Sequence, residues 1–257
     1  MTRAGSAAEA FSVTAERYAE SVAPALRPAA AEVVRRAALR PGDRVLDVGT
    51  GTGTAAGLAS GEGREVIGLD AAAGMLEIAR RVFPDLTFVE ADFAAIPFDD
   101  ASFDVVLGVH SVMFASDPVA VMAEVRRVTR PGGRLSVSAP GPRELTPNAV
   151  FEPIYRRFGL DVPATGPTQD SLASWARDGG WTEVATDADP GYHLRLDGER
   201  GLRSWLATGP RGATVGEWDR SKTDALVAEL MAAVERDEVD GAVLLPFGAL
   251  YLTARRD

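Results

Sequence analysis

The chain contains no cysteine, which removes disulfides and thiolate-held metals from consideration at once. Its two histidines, His110 and His193, lie far apart in sequence and do not make an ordinary zinc site, so no metal is expected. No apolar run approaches the ~18 residues of a membrane-spanning helix. The N-terminal stretch MTRAGSAAEAF also lacks the apolar core of a signal peptide. A cytoplasmic protein with no membrane partner is therefore expected. Basic charge is scarce as well: 27 basic against 37 acidic residues leave a net charge of −10. Arg126-Arg127 and Arg156-Arg157 are pairs on helix faces, not stripes, so nucleic acid is not expected as a partner. What remains is 257 residues, 46% hydrophobic and 25% charged, enough for one α/β domain with elaborations.

The first 40 residues read as helical, with Phe11, Tyr18 and Val22 on one face and a second helix over PAAAEVVRRAAL. The period then shortens. DRVLDVG, REVIGLD, LTFVEAD, SFDVVLGV and GRLSVSAP are five β-rich runs, each ended by turn residues or an acid. Helical patterns lie between them; one begins with Asp117 as N-cap and Pro118 in its first turn, and is expected to stop at Pro131-Gly132-Gly133. Strands alternating with helices imply a parallel sheet covered on both faces. Beyond residue 140 the pattern predicts a loop with one helix, then helix, Gly-Gly stop and strand. An amphipathic helix over WDRSKTDALVAELMAAVERDE and a final strand interrupted at Pro246 complete the chain. One domain over 1–257 is expected: an N-terminal helical cap (1–40), a ligand-binding core (41–140), and a substrate-binding insert with terminal strands (141–257).

In open α/β sheets ligands sit beyond the carboxyl ends of the strands. The first strand runs into VLDVGTGTG, where Gly49, Gly51 and Gly53 permit a tight turn and close backbone approach. A dinucleotide reading fails at the usual register because position 54 is threonine. Asp47 also opposes it, since a carboxylate repels a pyrophosphate but suits a ligand carrying an amino or sulfonium cation. Asp70 ends the next strand, where an acid can bind ribose hydroxyls, and Asp92 with Phe93 ends the third, where they suit an adenine. Singly, each acid is an ordinary strand-end residue; in succession they deliver three carboxylates to one sheet edge.

VLDVGTGTG, GLDAAAGML, FVEADFAAIPFDDASFDVVLGVHSVMFASDP and EVRRVTRPGGRLSVSAP, in this order, resemble the motifs of class I S-adenosylmethionine-dependent methyltransferases. The style is similar to the small-molecule enzymes of the ubiquinone/menaquinone-biosynthesis type. The resemblance implies a Rossmann-like, seven-stranded, mostly parallel sheet with the last strand antiparallel, helices on both faces and a helical lid. It further implies S-adenosylmethionine as cofactor and S-adenosylhomocysteine as product. Asp47, Gly49, Gly51 and Gly53 would surround the methionine part, Asp70 the ribose, Asp92 and Phe93 the adenine, with Met75 near the ring. Thr50, Ala71, Ala91 and Val109, beside these positions in the chain, belong to the same expected site, and Tyr18 would fold over it.

Methyl transfer needs alignment in a dry cleft and, for a hydroxyl acceptor, a base. His110, just past the fourth strand, is the candidate for catalysis. Phe114, Phe151, Tyr155 and His193 are candidates for the wall of an apolar substrate pocket, among aromatics that also include Phe158, Trp175, Trp205 and Trp218. The expected activity is methyl transfer to oxygen or carbon of a small apolar or aromatic metabolite, by a monomer or homodimer. The alternatives are a non-methylating user of the same cofactor, such as a cyclase, and a nicotinamide-dependent oxidoreductase. The N-terminal helices, residues 140–167 and residues 199–239 are expected to cover the strand ends.

Overall fold

The computed structural model describes residues 3–160 and 166–257. Residues 161–165, part of the expected cover, lie outside the described residues. The chain opens with α1 (Arg3–Val13), α2 (Ala15–Arg17), a π-helical turn over Tyr18–Val22, and α3 (Ala23–Arg36). Then β1 (Arg44–Val48), β2 (Glu65–Asp70), β3 (Thr87–Glu90), β4 (Phe103–Val109) and β5 (Thr129–Pro140) alternate with α4 (Thr54–Ala59), α5 (Ala73–Val82) and α6 (Pro118–Val128). There follow α7 (Asn148–Arg157), α8 (Gln169–Asp178), β6 (Thr182–Leu196), α9 (Gly198–Leu206), α10 (Gly209–Gly216), α11 (Arg220–Ala233), β7 (Glu235–Arg236) and β8 (Val243–Arg255).

The strands form one sheet in the order β3-β2-β1-β4-β5-β8-β6. Strands β1 to β5 pair in parallel, and β8 lies antiparallel between β5 and β6. The mostly parallel sheet with an antiparallel last strand is thus present; the two-residue β7 adds an eighth strand against β8. The chain steps outward from β1 to β3 and then crosses back to β4 on the other side of β1. Connections therefore diverge above the carboxyl ends of β1 and β4, the usual ligand crevice of such sheets.

Alternation along the strands builds two cores. Leu46, Val48, Leu69 and Val106 face α6 and α8, while Val45, Val66, Val105 and Leu107 face α3, α4 and α5. Each such aliphatic side chain contributes about 1.5–3 kcal/mol when fully buried. A third cluster joins α7, α9 and α11 to the projecting part of β6 and β8, around Phe151, Tyr155, Leu202, Trp205, Leu226 and Leu245.

Two expected boundaries are corrected. Helix α6 begins as expected, with the Asp117 carboxylate accepting from Ala120 N–H, but it stops at Val128. The Thr129 hydroxyl donates to the Val125 carbonyl at 2.7 Å, and Thr129 already pairs with Phe103 of β4, so helix gives way directly to strand. Strand β8 is not interrupted at Pro246. Pairing with β5 ends at Ala249 and β7 reaches only Leu244, so Pro246 has a strand neighbour, at His193 of β6, on one side alone. A missing N–H is tolerated there as on an edge strand.

Candidate active site

Three glycines follow β1, all in the left-handed region, with φ of 67°, 56° and 83° at Gly49, Gly51 and Gly53. Their missing side chains serve three different neighbours. A Cβ on Gly49 would stand 2.3 Å from Ser111 Cβ, so Ser111 occupies that space. A Cβ on Gly51 would meet no protein atom within 4 Å, and Gly51 lines the cleft described below: it would stand where a ligand goes. Gly53 caps α4, and a Cβ there would press on Phe83, Phe88 and Ala79. Gly49 and Gly51 line both cavities described below, and Gly53 lines neither.

Asp47 is 1% exposed; one oxygen accepts from Thr50 Oγ1 at 2.6 Å and from Ala56 N–H at 3.1 Å, while Oδ1 has no partner. Burial pushes its carboxyl up to about 6, against the pull of those two bonds, and the nearby Asp70 adds to the rise. Asp70, at the end of β2, accepts from Gly51 N–H and Ala72 N–H at 2.8 Å each. Burial raises its carboxyl too, opposed by the backbone donors. Each Asp70 oxygen keeps acceptor capacity toward the cleft it lines. Asp92 accepts from Ala94 N–H at 2.9 Å and lines the same cleft with Phe93 and Met75. Ala91, which donates to the Asp70 carbonyl, lines neither cavity.

Buried Asp47, with one carboxylate oxygen unpartnered, and half-buried Asp70 are two acids with raised pKa values, and a sulfonium with an amino group fits them. The pH dependence follows. A carboxyl whose folded pKa is raised resists ionising, so through Asp47 the free protein loses stability as pH rises from the ordinary carboxylate range to about 6. A bound cation favours the ionised form and reverses the preference. S-adenosylhomocysteine, whose amino group is cationic, should bind more tightly as pH rises toward about 6, by about tenfold per unit, and level off above it. Calorimetry across pH should show this slope, and Asp47→Asn should flatten it. A flat profile in the unmutated protein would exclude Asp47 from the cation site.

The cleft, with its open mouth, spans about 770 Å³ above the β1–β4 crevice. Its floor comes from the strand ends; its cover is α1, through Ala7, Ala8 and Phe11, with Tyr18 from the π turn. Phe11 meets Tyr18 and Phe114 edge-on, with ring centroids 6.0 and 5.3 Å away. A smaller space of about 380 Å³, lined by Asp47, Thr50, Thr52, Thr54 and Leu26 among others, adjoins it, and Tyr18, Gly49, Gly51 and Val109 line both. Burial, then the charge of Asp70, raises the Tyr18 phenol, which stays neutral.

Helix α1 is latched to α5: Ser12 Oγ accepts from Gly74 N–H at 2.8 Å, and a Cβ on Gly74 would lie 2.4 Å from the Ser12 carbonyl oxygen. Gly74→Ala should therefore push α1 off the cleft and weaken S-adenosylhomocysteine binding about tenfold, an overpacking cost of about 1–3 kcal/mol. Unchanged affinity, measured by calorimetry, would show that α1 is not needed for binding.

Among the described residues, the insert does not line the cleft. Phe151 and Tyr155 have no exposed surface and sit in the third cluster, where burial pushes the Tyr155 phenol up to about 12. His193 is exposed on β6. Helices α9 and α10 instead back the π turn and α1. The expected cover thus comes from the N-terminal helices, with the insert behind them. Of the four expected wall residues only Phe114 lines the cleft.

His110 sits at the cleft with φ of 50°, a strained value for a non-glycine residue. Its N–H donates to the Ser138 carbonyl at 3.1 Å, Nδ1 lies 3.5 Å from Ser138 Oγ, and Nε2 is buried without a partner. Burial lowers its pKa to about 4, so the imidazole is neutral at neutral pH. Ser111, Phe11 and Ala72 also line the cleft without having been expected there. Phe11 carried a signal in its spacing from Tyr18; Ser111 carried none, because its place depends on β1 and β4 being neighbours.

The methyltransferase domain family matches residues 46–137, from β1 into β5. The chain is 34% identical over 166 residues to the demethylmenaquinone methyltransferase of Renibacterium salmoninarum, covering 56% of this chain and 69% of that protein. Over 94% of its length it is 28% identical to the trans-aconitate 2-methyltransferase of Methylobacterium nodulans, covering 97% of that protein. Among solved structures, a complex of a Haloferax volcanii methyltransferase with the Trm112 methyltransferase activator has the same fold, with a TM-score of 0.63 at 23% identity over 96% of this chain and 97% of that one. The chain belongs to the class I S-adenosylmethionine-dependent methyltransferases. S-adenosylmethionine is the cofactor that defines this class.

Proposed function

We propose that the chain passes the methyl group of S-adenosylmethionine to a small, apolar, aromatic acceptor held between the β4 end and α1. The observation that carries this reading is a cleft lined both by the strand-end acids Asp70 and Asp92 and by apolar Phe11, Phe114, Ala7 and Ala8. Asp70 with Ala71 would hold the ribose, Asp92, Phe93 and Met75 the adenine, and Asp47, Thr50 and Gly51 the methionine end. When bound, the cofactor supplies a methyl carbon made electrophilic by the attached sulfonium. The chain's own share is orientation and dryness: α1 excludes water, the Phe11–Phe114 pair grips a ring, and the strand ends fix the angle of approach. His110, neutral through burial, is suited to orient the acceptor by a hydrogen bond; too weak a base to ionise a free hydroxyl, it can take the proton only as the oxygen gains the methyl.

Labelled S-adenosylmethionine and a panel of acceptors test this, with demethylmenaquinone on it because of the relatives named for it, beside simple phenols and anilines. Label is expected in at least one aromatic acceptor and not in trans-aconitate. Cofactor binding without label in any acceptor would favour a non-methylating use of the site, such as a cyclisation.

A further inference from the structure

His110 Nε2 and Ser111 Oγ are neighbours in the chain, buried at 8% and 5% exposure, both on the cleft wall and both without a hydrogen-bond partner. A buried polar atom left unpaired is costly, and two together on one wall mark a site made for a polar ligand group. Both side chains are fixed. Ser111 is wedged between two glycines: a Cβ on Gly49 would lie 2.3 Å from its Cβ, and one on Gly108 would lie 3.0 Å from its Oγ. The His110 ring lies against Phe247, centroids 5.6 Å apart, with Nδ1 facing Ser138 Oγ. The backbone strain at His110 is confined to this same corner. Val109, just before the pair, lines both cavities, so the pair stands beside their junction.

Resting on the methyl-transfer reading above, we propose that His110 Nε2 and Ser111 Oγ form a two-point seat for a neutral aromatic hydroxyl, and that this hydroxyl oxygen takes the methyl. Ser111 is thereby a positioning residue that the sequence did not reveal. A hydroxyl both donates and accepts, so it satisfies the imidazole and the serine together. With the imidazole proton on Nδ1, facing Ser138, the hydroxyl donates to Nε2 and accepts from Ser111. A carboxylate is the wrong partner for a different reason: among the described residues, the charged side chains lining the cleft, Asp70 and Asp92, are both acids. On transfer the oxygen gains the methyl carbon and gives its proton to Nε2, and the electron pair of the broken carbon–sulfur bond stays on sulfur. The proton then leaves to water, since burial keeps the imidazolium unfavourable.

The test needs no turnover at first. Protein labelled with ¹⁵N-histidine and saturated with S-adenosylhomocysteine is titrated with 2-naphthol, naphthalene and 2-naphthoate. His110 is assigned by the signal missing in His110→Ala. The His110 Nε2 resonance should move with 2-naphthol and not with naphthalene or 2-naphthoate, and the movement should shrink in Ser111→Ala. With S-adenosylmethionine, 2-naphthol should yield the methyl ether. Ser111→Ala should raise KM for 2-naphthol about tenfold, the value of one neutral hydrogen bond, with S-adenosylhomocysteine affinity within about twofold. A still Nε2 resonance, methyl on ring carbon, or an unchanged KM in Ser111→Ala would overturn the seat. A naphthol-dependent shift with no methyl passed to any acceptor would instead leave the hydroxyl seat standing and remove the methyl-transfer reading on which the ether depends.

Discussion

Asp70→Ala is expected to weaken S-adenosylhomocysteine binding by about a hundredfold or more. The carboxylate lines the cleft with acceptor capacity on both oxygens, and two charge-assisted bonds to ribose hydroxyls at about 1.5–3 kcal/mol each sum to about 3–6 kcal/mol. Part of the loss will be internal, because the same oxygens receive Gly51 N–H and Ala72 N–H and so hold the loops on either side. Asp70→Asn separates the two contributions: it keeps the size and one acceptor oxygen and should fall between the unmutated protein and the alanine variant. Calorimetric affinities decide it. An alanine variant binding within about threefold of the unmutated protein would exclude Asp70 from the ribose site.

Gly49→Ala should be the most destabilising single change in the cofactor loop. Its φ of 67° costs an L-residue about 1–2 kcal/mol, and a methyl 2.3 Å from Ser111 Cβ adds about 1–3 kcal/mol of overpacking. At about 2–4 °C per kcal/mol for a chain near this size, the melting temperature should drop by about 4–20 °C. Adding Ser111→Gly should restore the steric share and leave the dihedral share. If the double variant melts no higher than Gly49→Ala alone, the contact is not what the glycine is for.

The strand-end acids were legible in the sequence because their signal is local. An acid near the end of a β-rich run before a turn falls at the carboxyl edge whatever the rest of the chain does: Asp70 closes β2, Asp47 stands one residue before the end of β1, and Asp92 follows β3 by two. The sheet was legible for the same reason: five β-rich runs with helices between them admit few other arrangements. The reasons behind the glycines were not local. Gly49 is free of a side chain for Ser111, across the β1–β4 neighbourhood, and only Gly51 leaves room for a ligand. Aromatic type gave no guide to which core a ring joins. Phe151 and Tyr155 follow α7 into the third cluster, while Phe11, read only as a helix-face residue, caps the cleft. Pro246 misled because its strand neighbours, not its own ring, decide whether β8 can pass through it.

Side-by-side calorimetric titration of the unmutated protein with S-adenosylhomocysteine and NADH tests the central claim most directly, namely that the acids above β1, β2 and β3 hold an adenosyl ligand that carries a cationic amino group. The account predicts saturable one-to-one binding of S-adenosylhomocysteine, tightening as pH rises toward about 6, and no heat from NADH. Binding of NADH with none of S-adenosylhomocysteine would contradict it.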